Sequence, residues 1–233
     1  MIDFMAGLAE NYNGFLQEIH QAAGSAGRDP GQIMLLAVSK TFPKEDIAEL
    51  YQAGCRDFGE NRIPELQEKA SALPDDIRWH FIGQLQSNKV RKVVLLADVI
   101  HAVESVSLIE RLDRIAGEEG RSPAFLLEVN VSGEASKSGC TPESLPELAA
   151  AAASCKFARW QGLMTMAPAD APEELLHHVF GTLRDLRDGL AGEFKMPLPI
   201  LSMGMSGDWQ TAVQEGATIL RIGSALFGRR VYA

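Results

Sequence analysis

Ile33–Ser39 reads IMLLAVS, and Lys40 follows it directly. An uncharged run of this length, bounded by turn residues, is strand-sized rather than helix-sized. It does not alternate between apolar and polar residues, which suits a parallel strand buried on both faces. Working outward, seven more short β-rich runs recur along the chain: Asp57–Gly59, Trp79–Gly83, Val99–Val103, Phe125–Asn130, Trp160–Thr165, Ile200–Met203 and Thr218–Ile222. Amphipathic helical patterns fill the gaps. Pro43 leads Lys44–Ala53, which stops at Gly54, the proline-first, glycine-last signature of a helix. Further helices are expected over Ile63–Ala72, Ser105–Glu119, from Thr141 through Ala149–Ala153, Pro172–Leu190 and Ser206–Glu215, with Phe4–Ala23 ahead of the first strand.

Eight β-then-α units over 233 residues average about 29 residues each, the size of a minimal βαβ repeat. The pattern predicts an α/β fold, a (β/α)8 TIM-type barrel with an extra N-terminal helix. The rival doubly wound sheet lacks its Gly-x-Gly-x-x-Gly turn after every strand. No linker rich in Pro, Gly or Ser divides the chain, so residues 1–233 are expected to form one domain.

Composition excludes several classes of function. Twenty-two basic and 31 acidic side chains leave a net charge of −9, which argues against nucleic acid or an anionic membrane as the main partner. No apolar run approaches a membrane span; Val93–Ile100 is strand-sized and interrupted by Asp98. The Met1–Phe4 start has no basic segment of a secretory leader. Cys55, Cys140 and Cys155 are odd in number and lack Cys-x-x-Cys spacing, and the adjacent His177 and His178 diverge on a helix. These features point to free thiols in the cytoplasm and to no structural metal. No oversized apolar face stands out, so a monomer or weak dimer is expected.

In such a barrel, ligands gather at the C-terminal ends of the strands. Lys40 stands at the first of these ends, on a hydrophobic rim. Partial desolvation there disfavours the ammonium form and frees the amine as a nucleophile; the plainer reading is a lysine that snorkels to water. After the seventh strand, Met203–Asp208 combines a glycine turn with a helix expected to begin at Ser206, whose N–H groups and hydroxyl suit an anion. Gly223–Ser224 adds backbone donors after the eighth strand, and these two loops form the frequent phosphate site of the fold. Arg221 shares the side of its strand with Gly223. As a buried cation it needs a partner: a carboxylate such as Glu60 or Glu128, or a ring nitrogen of a cofactor.

A Schiff-base lysine, a phosphate cup and a ring-nitrogen donor together describe pyridoxal 5′-phosphate. Six segments carry a closer likeness: Ala37–Thr41, Phe58–Asn61, Trp79–Lys89, Gly162–Met166, Ser202–Asp208 and Arg221–Ser224. Together they resemble the pyridoxal phosphate homeostasis protein family, relatives of the barrel domain of alanine racemase, over essentially the whole chain. The resemblance implies a barrel of pyridoxal phosphate fold type III. It implies that Lys40 carries the Schiff base, that Ser206, Gly223 and Ser224 hold the phosphate, and that Arg221 faces the pyridine nitrogen. Asn61 then lines the ring, and His80 and Met203 look like pocket walls. Gln84 stands where relatives often have proline; neither it nor Asn88 nor Lys89 receives an individual role.

Two functions of different class remain. One is a racemase of the alanine racemase type; the other is a non-catalytic carrier that buffers the cofactor and hands it to apo-enzymes. An arginine opposite the ring nitrogen opposes its protonation and weakens the ring as an electron sink. A racemase also needs a second base, a tyrosine supplied in alanine racemase by a separate β-rich domain for which this chain has no counterpart. Its tyrosines, Tyr12, Tyr51 and Tyr232, stand at no strand end. The carrier is therefore expected.

Overall fold

The computed structural model describes residues 7–134 and 137–228; Met1–Phe4 and Tyr232 lie outside them. Eight parallel strands close a barrel in sequence order. They are β1 (Met34–Val38), β2 (Asp57–Glu60), β3 (Arg78–Phe81), β4 (Val99–Val103), β5 (Ala124–Glu128), β6 (Arg159–Met164), β7 (Ile200–Ser202) and β8 (Ile219–Ile222). Closure is made by β1 on β8, with Met34 opposite Ile219 and Leu36 opposite Arg221. All eight expected strands are present. The barrel is wrapped by α2 (Lys44–Gln52), α3 (Ile63–Ala72), α4 (Val90–Leu96), α5 (Val106–Glu118), α6 (Leu145–Ala153), α7 (Glu173–Phe194), α8 (Trp209–Gln214) and the short α9 (Ser224–Phe227), with α1 (Leu8–Ser25) ahead of β1.

Alternation along each strand sorts the side chains. Leu35, Ala37, Phe58, Trp79, Phe81, Phe125, Leu127, Trp160, Leu201 and Leu220 belong to the large cluster packed between barrel and helices. Burying each large apolar side chain there contributes about 1.5–3 kcal/mol. The α1 helix joins the same cluster through Tyr12, Phe15, Ile19 and Ala23. The small interior cluster holds only Ala102, Leu126 and Met164, with Ile200 against it. Polar side chains also lie inside the barrel, and they build the site below. At Gly162, with φ 147°, an added Cβ would stand 1.9 Å from the Ile200 carbonyl oxygen. Only glycine lets β6 and β7 approach so closely.

Three elements differ from expectation, the first being the short α9, which stands where only a loop was expected after β8. The α4 helix, VRKVVLL, fills a gap in which no helix was foreseen. The α8 helix begins at Trp209, not Ser206; residues 206–208 form a turn instead. Among the described residues, no helix is long and apolar enough to cross a membrane.

Candidate functional site

Lys40 leaves β1 at the barrel mouth, and buried contacts from α3 hold the segment that carries it. The Ser39 hydroxyl donates to Glu60 Oε1 at 2.6 Å, and Lys69 donates to the same oxygen at 2.6 Å and to the Ser39 carbonyl at 3.0 Å. Burial pushes the Glu60 carboxyl above its ordinary range, against the opposing pull of Lys69 and Ser39. One residue after Lys40, Thr41 is left-handed with φ 71°, a strained conformation for a β-branched residue. Its N–H donates to Glu65 Oε2 at 2.8 Å. Helix α3 thus grips the backbone on both sides of Lys40.

The loops after β7 and β8 lie beside Lys40 on the same rim of the barrel, because β8 pairs with β1. Gly204, with φ 91°, makes the turn after β7, where a Cβ would stand 2.6 Å from that of Ala212. The Asp208 carboxylate accepts the Met205 N–H at 2.5 Å, closing the turn that replaces the expected helix start. Ser206 is present in that turn, and its hydroxyl oxygen accepts the Ala225 N–H at 3.3 Å. That bond ties the β7 loop to the first turn of α9, which Gly223 and Ser224 open.

Arg221 projects from β8 into the barrel, 5% exposed. Neither expected protein carboxylate is its hydrogen-bond partner. Nη1 donates to the Ser202 carbonyl at 2.7 Å and hydroxyl at 2.8 Å, and Nη2 donates to the Thr165 carbonyl at 2.9 Å. Glu60 lies on the outer face, paired with Lys69. Burial lowers the Arg221 pKa to about 10, with Asp208 and Glu128 opposing, so it remains a cation at neutral pH. Glu128, also interior, is raised to about 7 by burial and by Glu104, against the pull of Arg221.

A cavity of about 590 Å³ opens at this mouth, lined among others by Lys40, Ser206, Arg221, Gly223 and Ser224, a volume suited to a small cofactor. Three features expected from different parts of the chain therefore converge. The remaining expected residues lie elsewhere. Asn61 lines a neighbouring cavity of about 380 Å³ with Arg62, Gln84 and Lys89, and its Oδ1 is buried without a hydrogen-bond partner. Met203, expected as a pocket wall, is wholly buried in the outer cluster, because the residue after Ser202 in the strand alternation points away from the interior. His80, expected in the same role, points inward but sits below the cavity, bonded to Asp57 and His101. Met164, Met166 and Met205 line the cavity unforeseen; the first two stand two residues apart, the spacing of one strand face.

A larger cavity, of about 720 Å³, lies at the opposite end of the barrel, lined by Tyr12, Arg56, Asp57 and Arg78 among others. Its arginines are already paired, Arg56 with Asp76 and Arg78 with Asp57. The mouth, where an amine, a guanidinium and two loop turns meet, is the better candidate.

Comparison with known proteins shows the family and the fold. The sequence model of the family described as alanine racemase, N-terminal domain, matches residues 21–231. Curated relatives include the pyridoxal phosphate homeostasis proteins of Pseudomonas aeruginosa, 44% identical over 98% of both chains, and of Aquifex aeolicus, 42% identical over 96% of this chain and 98% of that one. Among solved structures, PipY of Synechococcus elongatus, described with pyridoxal phosphate bound, is 41% identical with a TM-score of 0.79, covering 90% of this chain and 100% of that one. Alanine racemase from Corynebacterium glutamicum shares the fold at 16% identity and a TM-score of 0.73, over 97% of this chain but 62% of that one.

Proposed function

The chain belongs to the pyridoxal phosphate homeostasis protein family, and from that membership we propose that it holds pyridoxal 5′-phosphate at the barrel mouth and acts as a carrier that buffers the cofactor and hands it on. The observation that carries the placement is the convergence of one amine, one guanidinium and two donor loops on a single cavity. That donor set fits the group: an aldehyde needs an amine, a phosphate needs N–H and O–H donors, and a ring nitrogen accepts from a cation. When bound, the cofactor supplies a carbonyl carbon for amines and an electron-withdrawing ring.

Lys40 supplies the covalent hold, on a backbone that Lys69 and Glu65 fix from below. Ser206, Gly223 and Ser224 hold the phosphate. Arg221, a buried cation locked by three oxygen acceptors, donates toward the ring nitrogen and opposes its protonation. The carrier passes its cargo to apo-enzymes in the cytoplasm, where the free thiols of Cys55, Cys140 and Cys155 stay reduced. Charge-assisted hydrogen bonds to the phosphate contribute about 1.5–3 kcal/mol each. Pyridoxal without its phosphate is therefore expected to bind at least about tenfold more weakly. Competition titrations of the apo-protein measure this, and equal affinities would remove the cup from the reading.

The carrier reading also predicts no efficient racemisation. Tyr12 lines the cavity at the far end of the barrel, and the Tyr51 hydroxyl donates to Asp76 at 2.7 Å. Among the described residues no tyrosine stands at the mouth as a second base, a loss that typically costs about 10²–10⁴-fold. Incubation of the loaded protein with single L-amino acids is expected to yield D-isomer and keto acid far below the enzyme range of about 1–10³ s⁻¹. Turnover within that range, lost in Lys40→Ala, would favour the racemase.

A further inference from the structure

From the floor of the cavity downward, five strands each give one member to a chain of buried polar side chains inside the barrel: Asp57 from β2, His80 from β3, His101 from β4, Ser202 from β7 and Arg221 from β8, while Glu128 of β5 lies outside that chain. The five are continuous. Asp57 Oδ1 lies 3.1 Å from His80 Nε2, His80 Nδ1 lies 2.9 Å from His101 Nε2, and His101 Nδ1 lies 2.9 Å from the Ser202 hydroxyl. The Ser202 oxygen is 2.8 Å from Arg221 Nη1. At the far end Asp57 also accepts two hydrogen bonds from Arg78.

Donor and acceptor rules give this chain a direction. Arg78 only donates, and burial of Asp57 is outweighed by hydrogen bonds from His80 and Arg78 that hold its carboxyl below the usual range. Asp57 is therefore an acceptor, and His80 Nε2 carries the hydrogen. From the other end, the Ser202 oxygen accepts from Arg221, so its hydroxyl hydrogen goes to His101 Nδ1, and His101 carries its own hydrogen at Nε2, directed at His80 Nδ1. His101 is held neutral: its complete burial, with the Arg221 cation nearby, depresses its pKa well below the ordinary value. Its Nδ1 lone pair accepts the Ser202 hydroxyl hydrogen, which turns the Ser202 lone pairs toward Arg221. Every member is satisfied, and every donor points from the cationic end at the mouth to the anionic end below. The opposite direction would set two donors, Arg221 Nη1 and His101 Nδ1, against the Ser202 hydroxyl.

We propose that this interior relay is a positioning device, in which Asp57, His80 and His101 act through Ser202 to fix the guanidinium of Arg221 and hence the donor it presents at the mouth. This role rests on the reading of the mouth as the cofactor site; the direction of the relay does not.

The test begins on the apo-protein. Nitrogen-15 NMR of histidine is expected to show His80 and His101 as neutral Nε2–H tautomers at neutral pH. In Asp57→Asn the new amide can donate, so the direction is released and the pyridine-type signals move from Nδ1 to Nε2 or average between them. On loading, His101→Leu is expected to weaken cofactor binding about tenfold, whereas His101→Gln restores it to within about twofold, because an amide oxygen accepts from Ser202 while its N–H donates to His80. A wild-type His101 found protonated or as the Nδ1–H tautomer overturns the relay. So does unaltered binding in a folded His101→Leu variant. If His101→Leu fails to fold, the wild-type and Asp57→Asn tautomers decide. If the wild-type protein fails to bind the cofactor while the tautomers are as expected, the reading of the mouth fails and the relay stands.

Discussion

Replacing Lys69 with methionine is expected to destabilise the protein by about 3–5 kcal/mol, the cost of stranding one member of a buried ion pair. Lys69 and Glu60 are both buried, and Lys69 also donates to the Ser39 carbonyl. Methionine fills a similar volume, so the loss is electrostatic rather than a cavity. Removing both charges, as in Lys69→Met with Glu60→Leu, should recover most of the stability, because an apolar pair in such a place is often neutral or better. The deficit of the single variant should also shrink in acid, where the stranded Glu60 takes up a proton. Denaturant unfolding of the apo-protein measures all three. A loss below about 1 kcal/mol would show that this pair does not hold the backbone under Lys40.

The second large effect is an all-or-none loss. Borohydride is expected to fix the pyridoxyl group on Lys40, and Lys40→Ala is expected to abolish both the fixed label and the absorption band of the covalently held cofactor. Lys40 is half-buried at the mouth and outside the packed clusters, so alanine there should leave the unfolding midpoint within a small margin of wild type. Non-covalent binding through the loops of Ser206 and Ser224 should persist at lower affinity. Peptide mapping that places the label on Lys89 or Lys137 instead would refute the assignment.

The barrel was legible in the sequence because several strands are short apolar runs closed by a polar strand end, alternating with amphipathic helical stretches, and that rhythm survives without knowledge of any contact. Lys40, Ser206, Gly223 and Ser224 were legible for the same reason: they stand at strand ends, where the fold delivers them to one mouth. The α4 helix was not. Its VRKVVLL sequence is dense in β-branched residues, and packing against its neighbours overrides that local preference. The start of α8 was misplaced because Ser206 resembles an N-cap, whereas Asp208 closes a turn first. Met203 was misjudged because β7 is only three residues long, so one step of alternation decides which way a side chain points. The interior chain was hidden in plain strand positions. Asp57, His80, His101 and Arg221 each interrupt an apolar strand, and a polar side chain in a strand buried on both faces requires a partner. That each could be the other's partner depends on closure of the barrel.

Closure also decides when the molecule becomes competent. Lys40 belongs to the first strand made and Gly223–Ser224 follow the last, yet β1 and β8 are hydrogen-bonded neighbours. A cofactor held at the proposed site would therefore span the seam where the two ends of the barrel meet. During synthesis the amine emerges early and has no β8 loop beside it until β8 has been made and paired with β1. Such a long-range pairing is the slow step that contact order associates with loop closure. Cargo bound across the seam acts as a clasp: at a hundred times its dissociation constant it adds about 2.7 kcal/mol to the closed form. A cofactor held there would thereby favour barrels whose seam is closed, and the loaded form would be the more durable one.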